Sequence, residues 1–188
     1  MKDPYISIVL GHISLQTIAK VRCAGSPGQL SKKYGKIGPS NMSLKLYLSG
    51  EIHTNWREQI VKGATGLDVH FSSPVTDHEA SDDCGVEIMG VEADRFWHDH
   101  KGAKLNAIRT RKAIADSDIV VVRFGDKYKQ WNAAFDAGYA SALGKSLIIM
   151  HGADHHHALK EVDAAALAVV ETPDEVIRIL TYVLDGKL

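Results

Sequence analysis

The run Asp118-Ile-Val-Val-Val-Arg-Phe124 constrains the fold more than any other part of the chain. Consecutive β-branched residues without polar alternation read as a strand buried on both faces, the environment of a central strand in a parallel sheet. Such a strand needs partners and covering helices, and the flanking sequence supplies them. Leu44–Ser49, Leu67–Ser72, Ser146–Met150 and Leu167–Val170 read as four further strands. Helical periodicity is expected from Asn55 to about Ala64, where Asn55 and Glu58 have capping-box spacing. It is expected again from near Asp99 to Asp116 and from Gln130 to Leu143, the latter stopped by Gly144. Thr172-Pro-Asp-Glu175 supplies an N-cap, a proline at the first helical position and a capping glutamate for a last helix. The polar stretch Thr76–Gly90 reads as a long loop, and its length makes it suspect as functional.

Strands alternating with helices imply parallel pairing through right-handed crossovers. The expected fold is therefore α/β, a Rossmann-like three-layer α/β/α sandwich with a five-stranded parallel sheet. In such sheets ligands bind outside the carboxyl ends of the strands, at a topological switch point. That places the site on the loops at 49–56, 72–84, 124–132 and 151–157.

Charge and composition exclude other classes. The net charge of −1 gives no long-range field toward nucleic acid or an anionic membrane. No apolar run approaches the roughly 18–20 residues that span a bilayer. Cys23 and Cys84 have neither CxxC spacing nor the density of a disulfide scaffold, which suits a reducing cytoplasm. No cofactor motif is present: neither GxGxxG nor Walker A occurs, and no cofactor is expected.

Residues 1–42 differ from the domain at 43–188. They hold one acid, Asp3, against Lys2, Lys20, Arg22, Lys32, Lys33 and Lys36, and Met42 stands directly before the first strand. Three readings are open: a mis-called start or tag, a basic organelle-targeting segment, or a genuine extension packing through Tyr5–Leu10. No function is assigned to it.

Trp131-Asn-Ala-Ala-Phe-Asp-Ala-Gly-Tyr-Ala-Ser-Ala-Leu143 holds thirteen residues and one charge, Asp136. At 100° per residue Trp131, Phe135, Gly138 and Ala142 form one stripe, with Asn132, Asp136 and Tyr139 beside it. A helix without charges on its outer face is expected to be covered twice, by the sheet and by another subunit or the long loop. A carboxylate in such a helix must be paired, hydrogen-bonded or functional. The structural alternative is a bond to a backbone amide or to a nearby arginine such as Arg123.

Tyr47-Leu-Ser-Gly50, Ala115–Val122 and Phe135-Asp-Ala-Gly-Tyr-Ala-Ser-Ala-Leu-Gly-Lys145 resemble the nucleoside 2-deoxyribosyltransferase superfamily. Ser49–Arg57 and Phe124–Asn132 resemble its YtoQ branch more closely, and the likeness covers Leu46 to Lys187 but none of residues 1–41. The resemblance implies cleavage of an N-glycosidic bond. Asp136 stands where that superfamily carries a glutamate that attacks the anomeric carbon, a task suited to a carboxylate. Two departures matter. Aspartate is one methylene shorter than glutamate. The superfamily's two further binding aspartates align with Gln130 and about Thr110, neither acidic. Asp126, shifted in the same loop, is a substitute for the first, and Arg109 and Arg111 near the second suit a phosphate.

Ser49 and Gly50 follow the first strand, where backbone N–H groups and a hydroxyl suit a ribosyl hydroxyl or phosphate. Tyr47, Glu51, His53, Trp56, Ser73, Asp126, Trp131 and Asn132 complete the candidate substrate-binding set. Trp56 and Trp131 are offered both as base-stacking platforms and as core packing. Ser73 with Asp77-His-Glu79 is a candidate lid. The ten histidines cluster at His98-Asp-His100 and at His151 with His155–His157, in spacings that match no closed metal site, and no metal is expected. Two functions remain in play. One is an N-glycosyl transferase or hydrolase acting on a small nucleoside or nucleotide, with Asp136 as nucleophile or oxocarbenium stabiliser. The other is a non-catalytic nucleotide-binding or sensing module of the same fold. A homo-oligomer, dimer or larger, is the expected assembly.

Overall fold

Ile119–Arg123 is the central strand of five, as its unbroken β-branched run predicts. The computed structural model describes residues 43–127 and 130–186; the expectations for residues 1–42 lie outside the described residues. The elements are β1 (Leu44–Gly50), α1 (Trp56–Gly63), β2 (Val69–Ser72), α2 (His78–Met89), α3 (Arg95–Asp116), β3 (Ile119–Arg123), α4 (Trp131–Ala142), β4 (Ser146–Met150), a 3-10 turn (Ala153–His155), α5 (His156–Asp163), β5 (Ala168–Val170) and α6 (Pro173–Asp185). The sheet order is β2-β1-β3-β4-β5 and every pairing is parallel. This is the expected three-layer α/β/α sandwich.

Side-chain alternation splits the core in two. Leu46, Leu48, Val121, Ile148 and Met150 meet Trp56 and Ile60 of α1 and Val176 and Leu180 of α6. Tyr47, Val120, Val122, Leu147 and Ile149 meet Ile114 of α3 and Ala133, Ala137 and Ala140 of α4. The chain leaves β1 toward β2 and leaves β3 toward β4, so the switch point is the crevice between the carboxyl ends of β1 and β3. There Gly50 pairs with Arg123.

Two expectations are corrected and a third is met in part. The stretch expected as a long loop is mostly helix α2. Asp77 caps it by accepting the Ala80 N–H at 3.0 Å, and Asn106 of α3 donates to the Ser81 carbonyl at 2.9 Å. A polar helix that packs on one neighbour carries too little apolar periodicity to stand out from a loop. Next, of the two covers expected for α4 the sheet is present, and the face that meets it is the alanine stripe. The aromatic stripe points away from the sheet, with Trp131 74% and Phe135 56% exposed, and α2 packs on α3. Small side chains let the helix lie close to the strands, which is why alanines, not aromatics, face inward. Finally, Asn55 precedes α1 without a side-chain cap bond, because its Oδ1 accepts from Gln59 Nε2 at 2.7 Å instead. The Thr172–Glu175 capping box forms as expected. No helix among the described residues is long and apolar enough to cross a membrane.

Candidate functional site

Alternation along β1 turns Ser49 toward the α4 layer at the last turnable position before the strand ends. Its hydroxyl donates to Asp136 Oδ2 at 2.5 Å, joining residues 87 positions apart in sequence. Asp136 is half-buried and forms no ion pair among the described residues, so the structural alternative of a bond to Arg123 does not occur. Arg123 instead sits with its Nε 3.7 Å from Glu51 Oε2. Burial pushes the Asp136 carboxyl above the usual aspartate range, and the Ser49 hydrogen bond partly opposes that shift. Its Oδ1 accepts no hydrogen bond among the described residues.

The loop after β1 is held from below. Gly50 has φ +100°, and a Cβ there would stand 2.1 Å from the Arg123 carbonyl oxygen, so only glycine makes this turn. Arg57, 6% exposed, donates from Nε to the Leu48 carbonyl at 2.9 Å, from Nη1 to Glu51 at 2.6 Å and from Nη2 to Gly50 at 2.9 Å. Burial, opposed by Glu51, lowers its pKa to about 10, which leaves it charged at neutral pH. Sequence reasoning missed this residue. The available signal was a basic side chain in the first turn of a helix, where the macrodipole disfavours it and a tertiary role must compensate.

The remaining candidates divide. Glu51 is 4% exposed, and besides lying near Arg123 its carboxylate accepts from the His53 amide and from Thr54 Oγ1 at 2.5 Å within its own loop. Trp56 is 1% exposed, packs in the core and donates its Nε1–H to the Glu51 carbonyl at 2.8 Å. Of its two readings, packing is the one the geometry fits. Tyr47 is equally buried and donates to Thr110 Oγ1 at 3.3 Å. Burial raises its phenol, so it stays protonated at neutral pH. His53, Ser73, Asp126, Trp131 and Asn132 are exposed. Asp126 Oδ1 lies 3.7 Å from His155 Nδ1, and Arg111 stacks over Phe135 at 5.7 Å.

The two positions expected to carry binding acids have structural partners. Gln130 Oε1 accepts the Gly125 N–H at 2.7 Å, and Thr110 takes the Tyr47 hydroxyl. A Cβ at Gly125 would lie 2.4 Å from Glu51 Cγ, so any larger residue there displaces the Glu51 side chain. The histidines pair locally. His151, fully buried, lies between the Gly152 carbonyl at 2.8 Å and Asp163 at 3.1 Å, and His98 sits 3.1 Å from Asp83. No group of three or more metal-ligating side chains forms among the described residues.

Ser49 and Asp136 thus meet at the switch-point crevice of a Rossmann-like parallel sheet, the position at which sheets of this class bind ligands. The family model described as nucleoside 2-deoxyribosyltransferase YtoQ matches residues 47–184, and the chain belongs to that family. It is 42% identical to YtoQ of Bacillus subtilis strain 168 over 148 residues, 78% of this chain and 100% of that one. Among solved structures it is similar in fold to a conserved protein from Enterococcus faecalis V583. That match has a TM-score of 0.52 at 16% identity and covers 76% of this chain and 100% of the other. A 2-deoxyribosyltransferase from Bacillus psychrosaccharolyticus is similar at a TM-score of 0.45 and 18% identity, over 71% of this chain and 90% of that one.

Proposed function

We propose that this protein cleaves the N-glycosidic bond of a small nucleoside or nucleotide, with Asp136 as the attacking group. The observation that supports this most is the Ser49–Asp136 hydrogen bond at the switch point. Ser49 holds Oδ2 and leaves Oδ1 unbonded to the described residues. In this reading Oδ1 attacks the anomeric carbon as the carbon–nitrogen bond breaks, and the base departs with the electron pair and takes up a proton. Water, or a second base, then attacks the same carbon, releases the sugar and restores the carboxylate. The shorter aspartate requires the sugar to sit closer to α4 than a glutamate would. Ser49, Gly50, Asp126 and Asn132 position the substrate, and exposed Trp131 stacks on the base.

The test is to incubate the full chain with a panel of nucleosides and their 5′-monophosphates and follow free base by chromatography. Base release that disappears in Asp136→Ala, with folding and ligand binding intact, supports the enzyme. Saturable binding across the panel without turnover sinks it in favour of the sensing module. That second reading draws on Gln130 and Thr110, which serve the fold where binding acids were expected.

The exposed aromatic stripe of α4 supports self-association with a second copy of this chain. Light scattering checks it: Trp131→Glu with Phe135→Glu is expected to shift an oligomer toward monomer, and a monomeric parent protein refutes the idea.

A further inference from the structure

The sheet face that carries α3 and α4 is left open beside the β2 edge. Val69 and Phe71 of β2 pack into the opposite core, so His70 and Ser72 turn toward this open side, next to Lys45 of β1. Arg109, Lys112 and Asp116, one face of α3 at helical spacing, form the other wall. Together these six residues supply most of the polar lining of a groove of about 440 Å³, the size of a small-molecule site.

Its charge is lopsided. Three permanent cations, Lys45, Arg109 and Lys112, line it with one carboxylate, Asp116, which Lys112 engages directly and Lys45 attracts at longer range. The Lys45 ammonium, the His70 ring and the Arg109 guanidinium make no hydrogen bond or ion pair among the described residues. The chain as a whole has a net charge of −1, so this surplus is local and not the mark of a generally basic surface. Lys45, His70 and Arg109 line one concavity from two strands and a helix, a placement that suits an anion with oxygens in several directions. A phosphate meets that requirement: the arginine fork takes two oxygens and the lysine acts as a point charge on a third. Asp116 disfavours a long polyanion running through the groove and leaves room for a compact one.

We infer that this groove binds the phosphate group of a small molecule, as free phosphate or as a phosphomonoester, at a site separate from the β1–β3 crevice. The separation follows from β1, where Lys45, Tyr47 and Ser49 share one face and buried Tyr47, which donates to Thr110 beside Arg109, is the residue between the groove position and Ser49. The inference does not depend on Asp136 chemistry.

The test uses the full chain, isotopically labelled, titrated at low ionic strength with inorganic phosphate and with methyl phosphate. Saturable shifts at His70, Ser72 and Arg109 resonances are expected, weakening with added salt. Arg109→Ala and Lys45→Ala should each weaken binding by about tenfold, and Arg109→Glu should abolish it. These side chains are exposed, and thermal unfolding of each variant checks that the fold is kept. Asp136→Ala should bind phosphate as the parent does, so a failed catalytic reading leaves this result standing. Adding 2′-deoxyuridine 5′-monophosphate distinguishes the sources. Tighter binding than methyl phosphate, lost in Arg109→Glu, points to a nucleotide; equal affinity points to phosphate itself. The inference is overturned if no saturable binding occurs, or if binding survives Arg109→Glu.

Discussion

Replacing Ser49 with alanine is the sharpest perturbation of the candidate site. It deletes one oxygen and changes little else, because Ser49 is buried and its hydroxyl is engaged by Asp136 at 2.5 Å. A hydrogen bond to a charged group is worth about 1.5–3 kcal/mol net. If that stabilisation carries into the transition state, kcat/KM falls by about 10- to 150-fold. Two effects contribute, and pH separates them. The hydrogen bond lowers the Asp136 pKa against burial, so its loss moves the pKa further up. A nucleophile must be ionised, hence the acidic limb of the rate profile moves to higher pH in Ser49→Ala. Loss of aim lowers the plateau above that limb as well. Base release measured across the pH range reads both effects. A carbon-13 titration of the Asp136 carboxyl checks the direction without any substrate. An acidic limb that stays in place or moves to lower pH would refute the coupling.

Three further outcomes follow from the same geometry. The raised Asp136 pKa means that the folded state holds its proton more tightly than the unfolded chain. That contribution is present at acid pH and is lost as pH rises through the folded pKa, so the ionised carboxylate burdens the fold at neutral pH. Asp136→Asn should therefore raise the thermal midpoint at neutral pH and change it little near pH 3, while abolishing base release; a lowered neutral midpoint contradicts this. Gly50→Ala forces a Cβ to within 2.1 Å of the Arg123 carbonyl oxygen at φ +100°, and should cost about 3 kcal/mol or more by urea unfolding. Arg57→Met strips the donors from three carbonyls and should cost about 3–5 kcal/mol, with Arg57→Lys intermediate because an ammonium cannot reproduce the fork.

The parts of this fold that could be read from sequence are those whose signal is local. The β-branched run at 119–122 announces a buried strand, and Thr172-Pro-Asp-Glu175 announces a capped helix, because the residues that make each feature are neighbours. Helix α2 was hidden because its support comes from Asn106, 25 residues away, and not from its own periodicity. Which face of α4 meets the sheet is hard to read for a related reason. A stripe of large apolar residues looks like a buried face, yet close helix–sheet packing selects the alanines. Asp136 stood out as the one charge in its helix, but its partner did not. Ser49 lies 87 residues earlier, and only the parallel β1–β3 register brings the two together.

What makes that pair usable is the rigidity around each half. Ser49 lies between Leu48 and Gly50, and Arg57 fastens the carbonyls of both, as well as that of Glu51. Gly50 pairs with Arg123 across the sheet, so the hydroxyl is referenced to the central strand and not to a free loop. Asp136 has equally firm footing, because Ala133, Ala137 and Ala140 press its helix onto Val120 and Val122 of the same strand. Both partners are thus registered to β3, and their separation is fixed by packing before any ligand arrives. A single half-buried carboxylate without a cation would otherwise relax toward solvent or take up a proton. Here the fold holds one oxygen through Ser49, and the other is left with no partner among the described residues. In the proposed reading, that arrangement lets Asp136, one methylene shorter than the glutamate the resemblance implies, act as an aimed nucleophile.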